Sequence, residues 1–487
     1  MAKSLETVRR SRKEDATPMI AFLPLIALVY PACLIAIWLG SMLRPGRPPR
    51  ALKKATAAAS YVGIAVAVVL SGVVATYGAM TSPLLGMEEL GASVRLDALS
   101  VVIFSMVALL AVVILRFSRT YLEGDARQGV FIGRMALTIA TVQVLVVSGN
   151  LALFVAAWIA TSLSLHTLLV FYADRPAAVA AAKKKFIAAR IGDVCLIVAA
   201  ALLYGQFGTG DLGTIFSKAS EVSSNLQLEI ATGLLAIASL FKSAQFPTHG
   251  WLVEVMETPT PVSALLHAGI LNAGPFLIIR FASVMTLSTS AAVCLIVMGG
   301  FTALFASIVL LTQPSVKVAL GYSSAAHMGF MLFVCGLGVY PAAVLHLVAH
   351  SFYKAHAFLS SGSVVDVARA KAVRVPGRLR SPLRALASVA VATGIYWGTA
   401  TLLGFTPTEN VALLAVGAIL VMGLTQLLVP ALDSAGTAQG MARTTGLAVM
   451  VTLAFFSLEE GAHRLLVDSL PATTHPDLVI MALAGVV

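Results

Sequence analysis

Apolar stretches as long as the hydrocarbon core of a bilayer recur along nearly the whole chain. A transmembrane helix needs about 20 predominantly apolar residues, and runs of about that length follow one another from residue 19 to residue 457. The chain of 487 residues is 59% hydrophobic and only 11% charged, whereas about 25% of the residues of a soluble domain are charged. The sequence therefore predicts an all-α polytopic membrane protein with about 14 transmembrane helices.

The expected spans follow the hydropathy of the chain. They lie near residues 19–42, 57–80, 97–118, 131–148, 150–172, 186–204, 227–257, 260–284, 289–312, 316–336, 340–361, 383–405, 408–431 and 439–457. The span at 227–257 is expected to be broken, because Pro247 cannot continue the hydrogen-bond ladder of a helix. A last apolar run, Leu478–Val487, is too short to span, and the polar N-terminal tail makes a cleavable signal peptide unexpected.

The charges of the loops predict the orientation. The loops rich in Lys and Arg are 43–56, 116–134, 173–185 and 362–384. They alternate with short, neutral or acidic loops, among them those expected around Glu88–Glu89 and Glu459–Glu460. Basic loops stay on the cytoplasmic side, so we expect a multi-pass protein of the inner, cytoplasmic membrane, although the basic N-terminal tail then lies outside. We interpret the net charge of +11 as positive residues that orient the chain in the membrane and contact lipid. No nucleic-acid partner is expected.

Lys242 lies inside an apolar stretch, five residues before Pro247. A cation at membrane depth by default marks an ion or proton path. A broken helix is tolerated there only where its backbone lines a cavity or packs inside protein. The pattern predicts a proton relay around Lys242, with His249 and His267 as neighbouring candidates.

His346, His350 and Lys354 are spaced at i, i+4 and i+8, which places them on one stripe of a helix. Imidazoles titrate near neutral pH, so this stripe could pass a proton through water. The alternative is interhelical hydrogen bonding without transport. Histidines four residues apart also have a zinc spacing, but no carboxylate or cysteine is close in sequence, and we predict no metal site.

Two further pairs leave alternatives open. Lys317 either joins a relay with His327 or lies at a helix end with its amine at the membrane interface. Arg190 and Asp193, at i and i+3, either pair with each other or place Asp193 as a counter-charge for Lys242. No GxSxG, Walker A or strand-bound GxGxxG motif occurs, so we expect no catalysis on an organic substrate and no cofactor.

Three segments resemble the antiporter-like subunits of respiratory complex I and of multi-subunit cation/proton antiporters. They are FKSAQFPTHGWLVEVMETPTPVSALLHAG, KVALGYSSAAHMGFM and HLVAHSFYKAHAFLSSGSVV. The resemblance runs from about Asp97 to about Val365 and implies two inverted five-helix bundles, each with a broken helix, around a polar axis at the membrane midplane. It implies that Lys242 is the central lysine with His267 beside it, and that the histidine–lysine stripe is the next relay. Arg190 and Asp193 match an R-x-G-D segment of the family.

On this resemblance we divide the chain into five parts. They are an N-terminal tail (1–18), N-terminal helices (19–118), a first antiporter-like bundle (119–284), a second, inverted bundle (285–431) and C-terminal helices (432–487).

Two departures from the family pattern concern charged positions. Pumping subunits carry a glutamate directly after the tryptophan of the segment that here reads LFVAAWIATSLSLHTLL, where this chain has Ile159; His166 follows on the same face. The second broken helix usually carries a lysine or glutamate, but here no such residue precedes Glu409. The AWIATSLSLHTLLVFY segment is instead similar to the membrane subunit of DAB-type inorganic carbon transporters. That resemblance implies a large partner subunit that is similar to a zinc carbonic anhydrase.

Three functions remain open on the sequence. The first is a proton- or sodium-conducting, energy-coupling subunit of an inorganic carbon transporter. The second is a non-catalytic subunit of a complex I-like oxidoreductase or of a multi-subunit antiporter, and the third is a membrane scaffold with an inactive relay. Loop 362–384 has six basic residues against one acid, Asp366; it either fixes topology at anionic lipid or docks the partner, with loop 173–185 as a second contact.

Overall fold

The computed structural model describes residues 20–43, 50–87, 89–255, 258–362, 382–405, 411–433 and 438–471. Up to the first break the helices are α1 (Val29–Leu43, preceded by the 3-10 helix Leu23–Leu28), α2 (Arg50–Tyr77), α3 (Ala98–Tyr121), α4 (Gln128–Val146), α5 (Leu151–Leu169), α6 (Pro176–Phe207), α7 (Leu212–Ala219) and α8 (Leu226–Lys242). After it come α9 (Gly250–Glu254), α10 (Thr260–Ala268), the 3-10 helix Ile270–Asn272, α11 (Ala273–Arg280), α12 (Ala282–Met285), α13 (Thr289–Leu310), α14 (Val316–Gly336), α15 (Tyr340–Leu359), α16 (Pro382–Leu402), α17 (Val411–Asp433) and α18 (Ala438–Leu466).

The all-α polytopic architecture is confirmed, whereas the expected count of about 14 spans is not. Eleven helices of the described residues are long and apolar enough to cross a bilayer. Three expected spans are not among the eleven. The span at 227–257 is interrupted after α8, and the span at 340–361 is α15, which contains histidines and a lysine. The span at 408–431 corresponds to α17, whose fully described part, Val416–Val429, is shorter than a span.

The break predicted at Pro247 is confirmed. Helix α8 ends at Lys242, the chain turns through residues 243–249, and α9 begins at Gly250. Ala244 has a φ of 52° in this turn, in the left-handed region that side chains with a Cβ seldom adopt. Ser243 donates from its Oγ to the carbonyl oxygen of Leu271 at 3.0 Å, so the turn is tied to the 3-10 helix that joins α10 and α11.

Short antiparallel strands form between α2 and α3. Strand β1 (Met80–Thr81) pairs with β4 (Arg95–Leu96), and β2 (Leu85–Met87) pairs with β3 (Leu90–Ala92). Asn150, which caps α5, donates from its Nδ2 to the carbonyl oxygen of Glu89 at 2.9 Å. The hairpin therefore covers the ends of the bundle on the side opposite the basic loops.

A buried ion pair joins this hairpin to the bundle. Asp97 caps α3 and accepts from Arg280 Nη1 at 2.6 Å, Arg95 Nε at 3.0 Å and the Ser100 backbone N–H at 2.8 Å. Arg280 Nη2 also donates to Ser100 Oγ at 2.9 Å and to the Val146 carbonyl at 3.3 Å. Burial alone would raise the pKa of Asp97, but Arg280, Arg95 and the hydrogen bonds from Ser100 together hold it at about 2. We call Asp97, Arg280, Arg95 and Ser100 the outer clamp.

Helices α13 and α14 touch through backbone alone at one point. A Cβ on Gly299 would lie 2.6 Å from the carbonyl oxygen of Gly329, and a Cβ on Gly329 would lie 2.5 Å from the carbonyl oxygen of Gly299. Real Cβ atoms do not approach backbone oxygen so closely, so both positions require glycine. Small residues of this kind let membrane helices approach closely.

Three segments that were expected to be loops are largely helical. Helix α3 continues to Tyr121 and α4 begins at Gln128, so most of 116–134 is helical. Helix α6 begins at Pro176 and takes in most of 173–185, because alanine and lysine are good helix formers and Pro176 suits a first helical position. Glu459 and Glu460 lie within α18 rather than in an outer loop, and Glu459 is buried. Most of loop 362–384 lies outside the described residues.

Candidate functional site

Lys242 is the last residue of α8, and its amine turns into the protein toward α5. The side chain is buried, and its Nζ donates to Thr161 Oγ1 at 2.9 Å and to the Trp158 carbonyl at 3.1 Å. The Nζ also lies 4.2 Å from the centroid of the Trp158 ring, where the face of an indole attracts a cation. No carboxylate lies within ion-pair distance of Lys242 among the described residues, so the cation is held by neutral groups.

A second buried lysine, which the sequence reasoning missed as a site residue, lies close by on α6. Lys185 Nζ donates to the Ser162 carbonyl and to Ser162 Oγ, both at 2.9 Å. The turn of α5 from Trp158 to Ser162 therefore supplies acceptors to both lysines. The sequence carried a usable signal, because Lys185 falls on the same helical stripe as the buried Ala181, Ala188 and Gly192.

Asp193 pairs with its helix neighbour. Arg190 Nη2 lies 2.6 Å from Asp193 Oδ2, and the Asp193 side chain is only 6% exposed. The structure contains the i, i+3 ion pair, and Asp193 also attracts Lys242 electrostatically from beyond ion-pair distance, so the two alternatives do not exclude each other. The site around Lys242 therefore contains the cations Lys242, Lys185 and Arg190 and the single carboxylate Asp193.

The histidine–lysine stripe on α15 faces α14, as the spacing predicted. Lys354 is fully buried, and its Nζ donates to Ser323 Oγ at 2.6 Å. His327 of α14 joins the stripe, because its Nδ1 lies 3.0 Å from His346 Nε2. The His327 and His350 ring centroids are 5.2 Å apart. Neither ring nitrogen of the buried His350 has a hydrogen-bond partner within the described part of the chain, and water is the general partner of such groups.

His267 lies near Lys354 of α15 rather than near Lys242. Its ring stacks on Phe358, one turn beyond Lys354 on α15, with centroids 4.3 Å apart and an interplanar angle of 18°. The resemblance had placed it beside Lys242. The reason is that α10 packs along α15, and the turn after Lys242 leads the chain away from α8 before α10 begins.

One small cavity lies between the two lysine sites. It has a volume of about 20 Å³, and its lining includes Thr161, which accepts from Lys242, and Asn272. Asn272 Nδ2 donates to Ser351 Oγ at 2.7 Å, and Ser351 lies three residues before Lys354 on α15. The Asn272 Oδ1 has no hydrogen-bond partner in the described ranges. Apart from Thr161 and Asn272 the lining is apolar, with Ile103, Met106 and Phe276 among its residues. A buried water needs several polar partners, so this cavity by itself supplies no wet connection between the two lysines.

The remaining candidates lie nearer the ends of their helices. His166 is half-buried in the last turn of α5 and packs on Phe186 with ring centroids 5.1 Å apart. His249 precedes α9 and stacks on Phe246. Lys317 lies in the first turn of α14 beside a cavity of about 510 Å³ that Glu254 also lines, rather than beside His327.

The charged positions that the family pattern led us to look for are not filled by carboxylates in the described part of the chain. Ile159 is packed against the core, and α16 contains no acidic residue or lysine. The described residues contain no group of three or more His, Cys, Asp and Glu side chains that could hold a metal ion. The His346–His350 pair accordingly lacks the further ligands that zinc would need.

Comparison with known proteins identifies the family. Residues 148–431, more than half of the chain, match the family described as NADH:quinone oxidoreductase/Mrp antiporter, transmembrane. The chain is 38% identical to the probable inorganic carbon transporter subunit DabB2 of Halothiobacillus neapolitanus over 403 residues, which cover 82% of this chain and 73% of that protein. It is 44% identical to the probable inorganic carbon transporter subunit DabB of Hydrogenovibrio crunogenus, over 57% of this chain and 54% of that protein.

More distant proteins share the fold. NADH-quinone oxidoreductase subunit L of Escherichia coli is 34% identical over 57% of this chain and 46% of that subunit. A chain of the Mrp complex from Dietzia sp. superposes with a TM-score of 0.64 at 21% identity, over 96% of this chain and 55% of that chain. A chain of the membrane-bound sulfane sulfur reductase, an archaeal respiratory membrane complex, gives 0.61 at 18% identity over 96% and 93%. This chain is thus a member of the family of transmembrane subunits that NADH:quinone oxidoreductases and Mrp antiporters share.

Proposed function

We propose that this chain is the cation-conducting, energy-coupling membrane subunit of an inorganic carbon transporter. The observation that carries the proposal is the 38% identity to an inorganic carbon transporter subunit across 82% of the chain. The buried lysines supply the physical means, because ionisable groups inside a membrane bundle mark ion or proton pathways.

The relay that we propose runs from Lys242 to Lys354. Both amines are held by hydroxyl and carbonyl oxygens rather than by carboxylates, so neither charge is locked in an ion pair. Lys185 donates to the same turn of α5 as Lys242 and so places a second amine near it. Asn272, beside the small cavity at Thr161, donates to Ser351 of α15, and His327, His346 and His350 continue the path beside Lys354.

The partner in this proposal is a large subunit that is similar to a zinc carbonic anhydrase and converts CO₂ to bicarbonate in one direction. This chain would supply the driving force from the membrane potential, about 2.3 kcal/mol for each charge that crosses 100 mV. The complex would lie in the inner, cytoplasmic membrane. Loop 362–384, with its six basic residues, and the start of α6 are the proposed docking contacts on the basic side.

A second candidate function is a subunit of a complex I-like oxidoreductase or of a multi-subunit antiporter. The 34% identity to subunit L of Escherichia coli favours it. The isoleucine at position 159 argues against an ordinary pump of that kind, since it removes the carboxylate expected beside the central lysine.

One experiment separates these functions. The chain is purified in mild detergent, co-purifying subunits are identified, and the complex is expressed in cells that lack their own inorganic carbon uptake. We expect a zinc-containing partner, growth in ambient CO₂, and uptake that stops when a protonophore and a sodium ionophore are added together. Co-purifying quinone-site and iron–sulfur subunits would instead support the second function. Uptake that survives both ionophores would contradict energy coupling.

A further inference from the structure

A cavity of about 530 Å³ opens between the start of α2 and the end of α3. Lys53 lies in the first turn of α2, and Arg119 lies in the last turn of α3 with Arg116 almost one turn further in. These are the helix ends on the basic side of the membrane. The cavity, which we call the α2–α3 pocket, is therefore at the level where lipid headgroups meet the protein.

The charges of the α2–α3 pocket are unbalanced. Its lining has the three cations Lys53, Arg116 and Arg119 against one carboxylate, Glu123. Glu123 is engaged with Lys53 at 3.6 Å. In the ranges that the structure describes, the guanidinium groups of Arg116 and Arg119 form no ion pair, so two arginines face one pocket without a counter-ion.

A second cavity along the same two helices shows that this imbalance is local. It has a volume of about 620 Å³ at the opposite end of α2 and α3, and Arg464 and Asp468 of the α18 end contribute to its lining. Arg464 pairs there with Glu460. The outer cavity thus carries both signs of charge, whereas the α2–α3 pocket carries an excess of positive charge.

We infer that the α2–α3 pocket binds the phosphate headgroup of an anionic phospholipid. Guanidinium groups are suited to phosphate because their donors form a planar fork. The hydroxyl-bearing Thr56 and Ser60 also line the pocket, and Val112 and Leu115 extend it toward the membrane interior, where an acyl chain would lie. Basic pockets between transmembrane helices on the cytoplasmic side bind anionic headgroups in this way.

The test measures lipid retention by the purified full chain with native mass spectrometry, after exchange into detergent containing either phosphatidylglycerol or phosphatidylcholine. We expect the wild-type chain to retain phosphatidylglycerol in preference to phosphatidylcholine. The double variant Arg116→Gln plus Arg119→Gln should bind phosphatidylglycerol about thirtyfold more weakly, the sum of two basic residues at an anionic surface.

A matched control separates the pocket from the basic edge as a whole. Arg50→Gln plus Lys54→Gln removes the same charge from exposed positions at the start of α2 that do not line the pocket, and it should weaken binding much less than the pocket double variant, because direct contacts to the headgroup remain. Ala57→Phe fills the pocket without changing its charge and should also weaken binding, while circular dichroism confirms that each variant is folded.

Three results would overturn the inference. The first is unchanged retention in the Arg116 and Arg119 double variant, and the second is an equal loss in the Arg50 and Lys54 control. The third is displacement of phosphatidylglycerol by an equal concentration of inorganic phosphate, which would identify a site for free anions.

Discussion

The outer clamp and the lysine sites are both buried and both charged, but their charges are satisfied in opposite ways. In the clamp Arg280 meets Asp97 at 2.6 Å, and hydrogen bonds from Ser100 and Arg95 complete the shell around that carboxylate. Lys242 and Lys354 meet only neutral oxygens. Around the lysines several buried polar atoms, among them Asn272 Oδ1 and both nitrogens of His350, have no partner in the described ranges.

This difference between the two regions suggests two roles for buried charges. A charge in an ion pair stabilises the fold, whereas a lysine held by neutral groups is available for transport. Removing one partner of a buried ion pair destabilises a protein strongly, because the other charge loses its nearest counter-charge. Lys242 has no carboxylate at ion-pair distance and is attracted to Asp193 only from further away, so its removal should cost less stability. Substitutions in the outer clamp should therefore lower the stability of the protein, whereas substitutions of the lysines should lower transport. The following variants test that difference.

Removal of Arg280 should have the largest effect. Arg280→Ala leaves the buried Asp97 carboxylate with Arg95 as its ion-pair partner among the described residues, and we expect a loss toward the lower end of about 3–5 kcal/mol in the free energy of unfolding. The measurement is thermal unfolding of the purified chain in detergent. Arg50→Ala, at an exposed position at the start of α2, is the control and should leave the melting temperature unchanged. An Arg280→Ala protein as stable as wild type would remove the distinction between the two regions.

Lys242→Ala should abolish transport without a loss of stability. The variant removes the cation and leaves room for water beside Thr161 and Trp158, so the fold is expected to persist. Inorganic carbon uptake and the melting temperature are measured on the same preparation, with Lys54→Ala, at an exposed position on α2, as the control. Near-normal uptake in Lys242→Ala would contradict the relay.

The histidine–lysine stripe should behave as one unit. Residues of a shared network give non-additive effects, so His350→Ala combined with Lys354→Ala should transport little worse than Lys354→Ala alone. The check is a double-mutant cycle on uptake rates. Losses that add up would assign the two residues separate structural roles.

The outer clamp should also contribute to the loss of folding stability at low pH. Its stabilisation is complete at neutral pH, because the pKa of Asp97 is about 2 when folded and near 3.9 when unfolded. It is lost as the pH falls from about 4 toward 2 and amounts to about 3 kcal/mol. Comparison of wild type with Asp97→Asn across that pH range measures it, and the acid-dependent part should be absent from the variant.

Asn272→Leu should give the smallest of these effects. The leucine is close to asparagine in shape but removes the donor to Ser351 Oγ and to the Ala268 carbonyl, so uptake should fall several-fold while Lys242 and Lys354 remain in place. Asn272→Gln restores an amide and should recover part of the rate. A change in melting temperature with unchanged uptake would place Asn272 in the structural class beside the clamp.

The sequence pattern predicted which residues share a helix face and where a helix is interrupted, but not which distant side chains pair with each other. Pro247 predicted the end of α8, and the i, i+4, i+8 spacing predicted the stripe on α15, because both are local consequences of helix geometry. The pairing of Arg280 with Asp97 joins residues 183 positions apart, and no local pattern encodes it. Lys185 was assigned to a basic loop because two more lysines precede it, although its spacing from Ala181, Ala188 and Gly192 places it on the buried face of α6.

The contact of Gly299 with Gly329 has a mechanical consequence. Where the backbones of α13 and α14 are in direct contact, the two helices cannot shift along each other without first moving apart, so they should move as one rigid unit. Helix α14 of this unit carries Ser323 and His327, the partners of Lys354 and His346. A conformational change that breaks those contacts should therefore be a tilt of α15, and an alanine at Gly329 should change the angle between α13 and α14 even before such a tilt.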